Sequence, residues 1–425
     1  MTGPGCYLEG FSGIKMMAYL QCAGECGTTL ELHQRVLACP KCGDLLEVAI
    51  QPPQVDPFDL KRQWMARRTS YEGIDASGVW RFREFLPDSY AAHEIVTLSE
   101  GNVPLVRAKK TAQWAGVKNL WFKHLGWNPT GSFKDLGMTA GMTEAKFAGA
   151  KAVACASTGN TAASLAAYAA RAGVIGRVYL PAGQASANKL AQALDFGAEI
   201  VQIDGSFDDA LDRLLNSGDP DLYFLNSINP FRIEGQKTAM FELLEQFGWK
   251  TPDYLVVPGG NLGNSSAFGK AFAELKQHGF IESVPKIVIV QAEGANPLAR
   301  MWTSGSRRLE AVERPETVAT AIRIGNPRSW KKAIRAVEST GGLVMDVTDE
   351  ELGEAKAMIG RDGIGCEPAS ATTLAGIRKL VSDGKLDREA TIAAVLTGHA
   401  LKDTDYIIKR QHAMEDREAV AADVR

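Results

Sequence analysis

A chain of 425 residues with 45% hydrophobic and 23% charged content has enough apolar material for a large buried core and more than one lobe. Its 47 basic residues are scattered among 50 acidic ones, for a formal charge of -3. That balance offers no electrostatic footprint to nucleic acid or to an anionic membrane, and makes a small molecule the expected partner. No apolar run approaches the roughly 20 residues that span a bilayer, and no basic segment followed by an apolar stretch opens the chain, so the expected address is the cytoplasm.

Residues 1–17, which begin Met1-Thr2-Gly3-Pro4-Gly5, read as a disordered leader. Residues 18–50 read as a small β-rich module: a strand from Ala18 to Gln21, a turn at Cys26-Gly27, an alternating stretch around Leu30 to Val36, then Cys39 to Cys42 followed by Gly43. Cys22, Cys26, Cys39 and Cys42 form two knuckles, the layout of a zinc ribbon with a structural metal. Three residues separate Cys22 from Cys26, within the two to four that tetrahedral zinc accepts. The alternative is a metal-free vestige with four reduced thiols. Cys155 and Cys366 lie far apart in apolar or glycine-rich surroundings and are expected to stay reduced.

Gln51-Pro52-Pro53 leads into an arm, residues 51–98, whose charged, tryptophan-bearing pattern from about Asp59 to Phe85 is expected to be helical and to pack across the main body. From Leu120 onward, short β-type runs alternate with helical patterns. The runs are Leu120–Lys123, Ala152–Ala156, Arg177–Leu180, Ile200–Ile203, Leu222–Leu225, Tyr254–Val257, Ile287–Val290, Leu343–Asp346 and Thr391–Leu396. This order predicts an α/β protein of two open, mostly parallel sheets, with ligands in the cleft between them at the carboxyl ends of the strands.

Four segments at those ends carry the chemistry. Asn128-Pro129-Thr130-Gly131-Ser132-Phe133-Lys134 sets a lysine at the mouth of a helix. The positive end of the helix dipole and partial desolvation disfavour its ammonium form there and free the amine for an imine. A lysine taken alone is more often a surface residue in a first helical turn. Ala156-Ser157-Thr158-Gly159-Asn160-Thr161 offers hydroxyls and amides at another helix start, suited to a carboxylate, or serves as a plain Ser/Thr cap. Pro258-Gly259-Gly260-Asn261-Leu262-Gly263-Asn264 lets backbone amides approach a phosphate. It matches neither a P-loop nor a dinucleotide fingerprint, which favours an isolated monophosphate over a plain glycine turn. Leu396-Thr397-Gly398-His399-Ala400-Leu401-Lys402 ends the last strand, and Thr397 can offer a neutral hydroxyl to a ring nitrogen or act as a simple strand-end residue. His399 and Lys402 are assigned structural roles.

Together with Asn226-Ser227-Ile228-Asn229-Pro230-Phe231-Arg232-Ile233-Glu234-Gly235-Gln236-Lys237-Thr238 and Glu367-Pro368-Ala369-Ser370, these segments resemble the threonine synthase family of fold-type II pyridoxal-phosphate enzymes. The likeness runs from about Ser99 to Lys402. It implies a catalytic core of 99–402, with a small lobe of about 130–245, the large lobe the remainder, and a tail at 403–425. It further implies that Lys134 carries pyridoxal 5'-phosphate, that Asn160 bonds its ring oxygen, that Gly260, Asn261, Leu262, Gly263 and Asn264 hold its phosphate, and that Thr397 meets its ring nitrogen. Ser157, Thr158 and Thr161 would hold the substrate carboxylate. Asn226, Ser227, Arg232 and Asn261 would surround the leaving phosphate of O-phospho-L-homoserine, where a guanidinium supplies bidentate geometry.

The implied reaction converts O-phospho-L-homoserine and water to L-threonine and phosphate, with Lys134 moving protons and a homodimer as the expected assembly. A threonine dehydratase gives no reason for Arg232, whereas a cysteate synthase acting on O-phosphoserine keeps that reason. A noncatalytic sensor would not need Lys134, Asn160 and Thr397 together. A ribbon that binds nucleic acid would need a basic excess with interleaved aromatics, which residues 18–50 lack.

Overall fold

The computed structural model describes residues 17–52, 54–87, 90–183, 187–205, 213–214 and 218–410, without side chains at 17 and 187–189. The expected leader, apart from Met17, and the tail beyond 410 lie outside the described residues. At the N-terminus, β1 (Met17–Cys22), β2 (Thr29–Glu31) and β3 (Leu46–Gln51) form an antiparallel sheet in the order β2-β1-β3. Leu20, Leu32, Leu46 and Val48 close a small core around Cys22 and Cys39, and Phe231 from the main body completes it.

The arm is less helical than its pattern predicts. Only α1 (Pro57–Arg68) is a true α-helix, started by Asp56, whose carboxylate accepts the Phe58 amide at 2.8 Å, with Pro57 in the first turn. After it come short 3-10 turns at Gly73–Ala76 and Trp80–Phe85. The break at Gly78 has a cause: a Cβ there would lie 2.3 Å from the Asn102 amide, so the two backbones touch only because that residue is glycine. Trp64 sits at the centre of the arm, fully buried among Phe82, Phe85, Phe241 and Phe280 at centroid distances of 5.1–5.9 Å.

The main body then follows as β4 (Leu105–Arg107), α2 (Lys110–Ala115), β5 (Asn119–His124), α3 (Lys134–Phe147), β6 (Ala152–Ala156), α4 (Asn160–Ala172), β7 (Ile175–Pro181), α5 (Ala187–Asp195), β8 (Glu199–Ile203), β9 (Leu222–Phe224), α6 (Pro230–Gln246), β10 (Tyr254–Pro258), α7 (Gly263–Gln277), β11 (Lys286–Ala292), α8 (Pro297–Ser304), α9 (Trp330–Ser339), β12 (Leu343–Val347), α10 (Asp349–Arg361), α11 (Pro368–Ser382) and β13 (Thr391–Leu396). Each of the nine strand runs read from the sequence is a strand. With β4 as a tenth, they divide into a four-stranded parallel sheet, β8-β7-β6-β9, and a six-stranded sheet, β12-β11-β10-β13-β5-β4, in which only β4 runs antiparallel. At three residues, β4 is too short to show any periodicity.

In the larger sheet, successive side chains face opposite ways and feed two cores. Leu255 and Val257 pack with α7 and α9, whereas Val256 packs with α10 and α11. Burial on both faces explains why these strands read as unbroken apolar runs. Helices α3 and α6 touch through glycines: a Cβ on Gly235 would lie 1.8 Å from the Leu136 carbonyl oxygen, and one on Gly137 2.8 Å from the Arg232 carbonyl. This seam sets the first turn of α3, with Lys134, beside the first turn of α6, with Arg232.

Candidate functional site

Between the two larger sheets lies a cavity of about 480 Å³. Its wall includes all fourteen residues that the sequence assigns to cofactor and substrate: Lys134, Ser157, Thr158, Asn160, Thr161, Asn226, Ser227, Arg232, Gly260, Asn261, Leu262, Gly263, Asn264 and Thr397. They come from five separate stretches of chain, each following a strand or opening a helix.

Lys134 is the first residue of α3, and the loop before it is tied to the end of β13. The Phe133 amide donates to the Thr397 carbonyl and the His399 amide to the Gly131 carbonyl, both at 2.9 Å. Asp135 fixes the turn from behind, accepting the Thr130 amide and hydroxyl at 2.7 Å and the Ser164 hydroxyl at 2.6 Å. Burial nevertheless pushes the Asp135 carboxyl up to about 6. The Lys134 amine rests 4.3 Å from the centre of the Phe133 ring. Desolvation, followed by repulsion from Arg232, lowers its pKa to about 7, so much of it is uncharged at neutral pH.

Two helix starts face the lysine. The segment 157–160 crosses from β6 to α4 and leaves its hydroxyls half-exposed to the cavity. The segment 259–262 crosses from β10 to α7, where Leu262 adopts a left-handed φ of 65°. Gly260 packs against Ile322, where a Cβ would meet atoms at 3.1–3.4 Å, while Gly263 has nothing nearer than 3.7 Å. The open face over the first turn of α7 therefore carries no side chain, as close approach of an anion to backbone amides requires. Just inside, the buried Ser265 hydroxyl has no partner. Asn261 ties the loop to its neighbours, donating to the Ser227 hydroxyl and accepting the Arg328 amide at 2.7 Å.

Arg232 is 1% exposed. Its Nη1 donates to the Leu225 carbonyl at 3.1 Å, but Nε and Nη2 have no partner, and burial lowers its pKa to about 10. Asn229, with Pro230 after it, caps α6 and aims this first turn at the cavity. A guanidinium held without a counter-charge beside Asn226 and Ser227 is a ready site for an anion.

The sequence reading missed part of the wall. Residues 320–324, Gln236, Glu367 and Lys402 all line the cavity. Lys402, assigned a structural role from sequence, faces the cavity and also donates to the Thr130 carbonyl at 3.2 Å. His399, by contrast, accepts the Leu401 amide and caps a short turn. The sequence marks Glu367 only as part of a motif. The signal that could have found it is its place just before Pro368 at a helix start, within the Glu367-Pro368-Ala369-Ser370 motif.

About the N-terminal sheet, the Sγ atoms of Cys22, Cys26, Cys39 and Cys42 all lie within 4.8 Å of one another, and no disulfide joins them. The module contacts the main body on two sides. His33 bonds Glu144 of α3 at 3.0 Å, and Arg35 reaches the Pro220 carbonyl at 2.6 Å. On the other side Asp44 and Glu47 pair with Lys331 and Arg335 of α9, each at 2.6 Å.

Residues 96–398 match the family described as "Pyridoxal-phosphate dependent enzyme". The chain is 45% identical over 392 residues to a protein named threonine synthase from Methanocaldococcus jannaschii, covering 92% of this chain and 94% of that one. It is also 45% identical over 395 residues to the protein of the same name from Methanosarcina acetivorans, covering 92% and 94%. Among solved structures, the threonine synthase of Escherichia coli superposes with a TM-score of 0.68 over 92% of this chain and 90% of that one. At 18% identity, that likeness speaks to the fold.

Proposed function

The chain belongs to the pyridoxal-phosphate-dependent enzymes and, among them, to the threonine synthases, and from that premise we propose that it converts O-phospho-L-homoserine and water to L-threonine and phosphate, the last step of threonine biosynthesis. One observation carries the substrate class. The cavity that holds a lysine of lowered pKa and a glycine loop for one phosphate also holds Arg232, buried with Nε and Nη2 unpartnered. Two anion sites flanking one amine match a phosphorylated amino acid beside a phosphorylated cofactor.

The residues present fit pyridoxal phosphate. Lys134 has an amine of depressed pKa, and Gly263 leaves the first turn of α7 uncovered, with the orphaned Ser265 hydroxyl behind it. In this reading Lys134 binds the carbonyl carbon, Asn160 the ring oxygen, residues 260–264 the phosphate and Thr397 the ring nitrogen. The bound cofactor supplies the electron withdrawal that makes protons at Cα and Cβ of an attached amino acid removable.

The chain's own groups do the rest. Ser157, Thr158 and Thr161 hold the substrate carboxylate, while Arg232 with Asn226, Ser227 and Asn261 holds the phosphate, which fixes Cα, Cβ and Cγ before the lysine. The net change breaks the Cγ–O bond, moves one hydrogen from Cβ to Cγ and adds the oxygen of water at Cβ, and the second proton of that water leaves on phosphate. Lys134 would be the base and acid for these transfers. Release of threonine and phosphate from O-phospho-L-homoserine by the cofactor-loaded enzyme is the expected result. Sulfite-dependent turnover of O-phospho-L-serine in its place would identify a cysteate synthase.

The four cysteines support a structural zinc. A tetrahedral site with Zn–S near 2.3 Å sets the sulfurs about 3.8 Å apart, and here the Cys22–Cys42 and Cys26–Cys39 pairs already stand at 3.4 and 3.5 Å. Such a metal would stiffen the module that braces the main body. The same proposal takes the enzyme to be a cytoplasmic homodimer. Phe58 and Met65, 68% and 57% exposed on α1, are surface that a second copy would cover, and sedimentation of the loaded enzyme tests this.

A further inference from the structure

We propose that Glu367 is a positioning residue that grips Asn160 from the small lobe and Thr397 from the large lobe, and so orients the two side chains that face the two polar edges of the cofactor ring. The proposal rests on the reading that Asn160 and Thr397 contact that ring. Glu367 is 3% exposed and lies on the cavity wall. One carboxylate oxygen accepts the Asn160 amide at 2.8 Å and the other accepts the Thr397 hydroxyl at 2.7 Å.

A structural role at the start of α11 does not account for this geometry. Glu367 is the residue before the first turn, and its side chain makes no bond to the free amides of its own helix. Its oxygens turn instead to side chains 207 and 30 residues away in sequence. The chain also makes room for it: a Cβ on Gly398 would fall 2.4 Å from the carboxylate carbon and 2.6 and 2.7 Å from its oxygens.

The grip has a directional consequence. Asn160 carries two N–H groups, and with one given to Glu367 the other is set by amide planarity. Thr397 has one proton, which goes to Glu367, so toward the cavity it presents lone pairs. Ser370 fixes it further, with its oxygen 3.0 Å from that of Thr397 and accepting the Thr397 amide at 2.8 Å. A lone pair at that position favours a ring nitrogen that bears a proton. Around the carboxylate stand the titratable groups Lys134, Lys402 and Cys366, whose proton affinities its charge affects.

The test uses the holoenzyme and the variants Glu367→Gln, Glu367→Ala, Asn160→Ala and Thr397→Val, with three readouts: the dissociation constant of the cofactor, the pH dependence of its visible absorption band, and kcat and KM for the phosphorylated substrate. Glu367→Gln keeps shape and volume but cannot accept from both partners. It is expected to weaken cofactor binding roughly ten- to hundredfold, the scale of a lost charge-assisted hydrogen bond. It should also move the pH midpoint of the absorption band and lower kcat more than it raises KM. Glu367→Gln combined with Thr397→Val should lose no more than the worse single variant. If Asn160→Ala and Thr397→Val perturb cofactor binding and Glu367→Gln leaves both binding and band unchanged, the grip is wrong. If neither Asn160→Ala nor Thr397→Val has any effect, the underlying reading of the ring contacts fails instead. Should Glu367→Ala not fold, the isosteric glutamine variant still decides.

Discussion

Arg81 in the arm and Arg232 beneath the cleft are equally hidden, at 0% and 1% exposure, yet the first gives its two Nη atoms to Glu245 at 2.8 and 2.7 Å while the second has one backbone carbonyl. The contrast lies in charge pairing, since Arg81 Nε, like atoms in the cleft, also lacks a hydrogen-bond partner. In the scaffold, Arg67 pairs with Glu84, Lys123 with Glu242, and Lys237 with Glu234 and Glu274. In the cleft, Arg232, Gln236 and Asn264 keep buried polar atoms without partners. A buried charge in a scaffold must be neutralised where it stands. A binding site instead leaves its charge open for a ligand to complete, at a cost in stability.

Lys134→Ala gives the sharpest break of this contrast, because it removes the cleft's reacting amine and leaves the scaffold untouched. Activity should fall by at least about 10³-fold, in the range of a lost acid/base group, and the visible absorption of the purified enzyme should vanish while its unfolding temperature stays near that of the parent. Retained turnover at a tenth of the parent rate would rule out the role given to Lys134.

Paired substitutions of the two arginines come next in size. Arg81→Ala leaves the buried Glu245 with only the partly exposed Arg68 at 3.4 Å and is expected to cost about 3 kcal/mol, read from urea denaturation. Arg232→Met abandons no carboxylate, so stability should stay within about 1 kcal/mol of the parent or rise. In that variant KM for the phosphorylated substrate should climb roughly a hundredfold, the scale of a charge-assisted bidentate contact. Equal destabilisation by both substitutions would erase the distinction between paired scaffold and open cleft.

A smaller effect lies in pH. The Lys134 pKa is lowered from its ordinary 10.5 to about 7, so in apoprotein the reactive amine fraction grows about tenfold per unit as pH rises toward 7 and then levels off. The rate of cofactor reconstitution, followed by absorbance, should trace that curve. A rate still climbing tenfold per unit between pH 8 and 10 would mean that the lysine is not desolvated. The smallest expected change in chemistry comes from the ribbon: Cys39→Ser should lower bound zinc, measured by metal analysis, and reduce thermal stability before it alters kcat, because the module braces the main body without lining the cavity.

Much of the site was legible because its pieces are local. A strand followed by Ser-Thr-Gly-Asn or Gly-Gly-Asn-Leu-Gly must present amides at the next helix start, whatever the distant fold does, and central runs such as Tyr254–Val257 and Ile287–Val290 were visible because burial on both faces makes them continuously apolar. The arm was harder. Its charges and tryptophans suggested one helical stretch, but the backbone contact at Gly78 and the cluster around Trp64 broke it into α1 and 3-10 turns. Neither cause leaves a periodic trace.

By itself, then, the sequence determined the parallel α/β plan, the lysine at a helix mouth and the loops that open toward it, since these follow from local pattern and backbone chemistry. Only the tertiary structure decided that Arg232 would stand without a counter-charge and that Glu367 would face Asn160 and Thr397 rather than its own helix. Whether a buried charge is spent or open depends on partners up to two hundred residues away, and close packing of α3 on α6 and of Gly398 on Glu367 is what sets them.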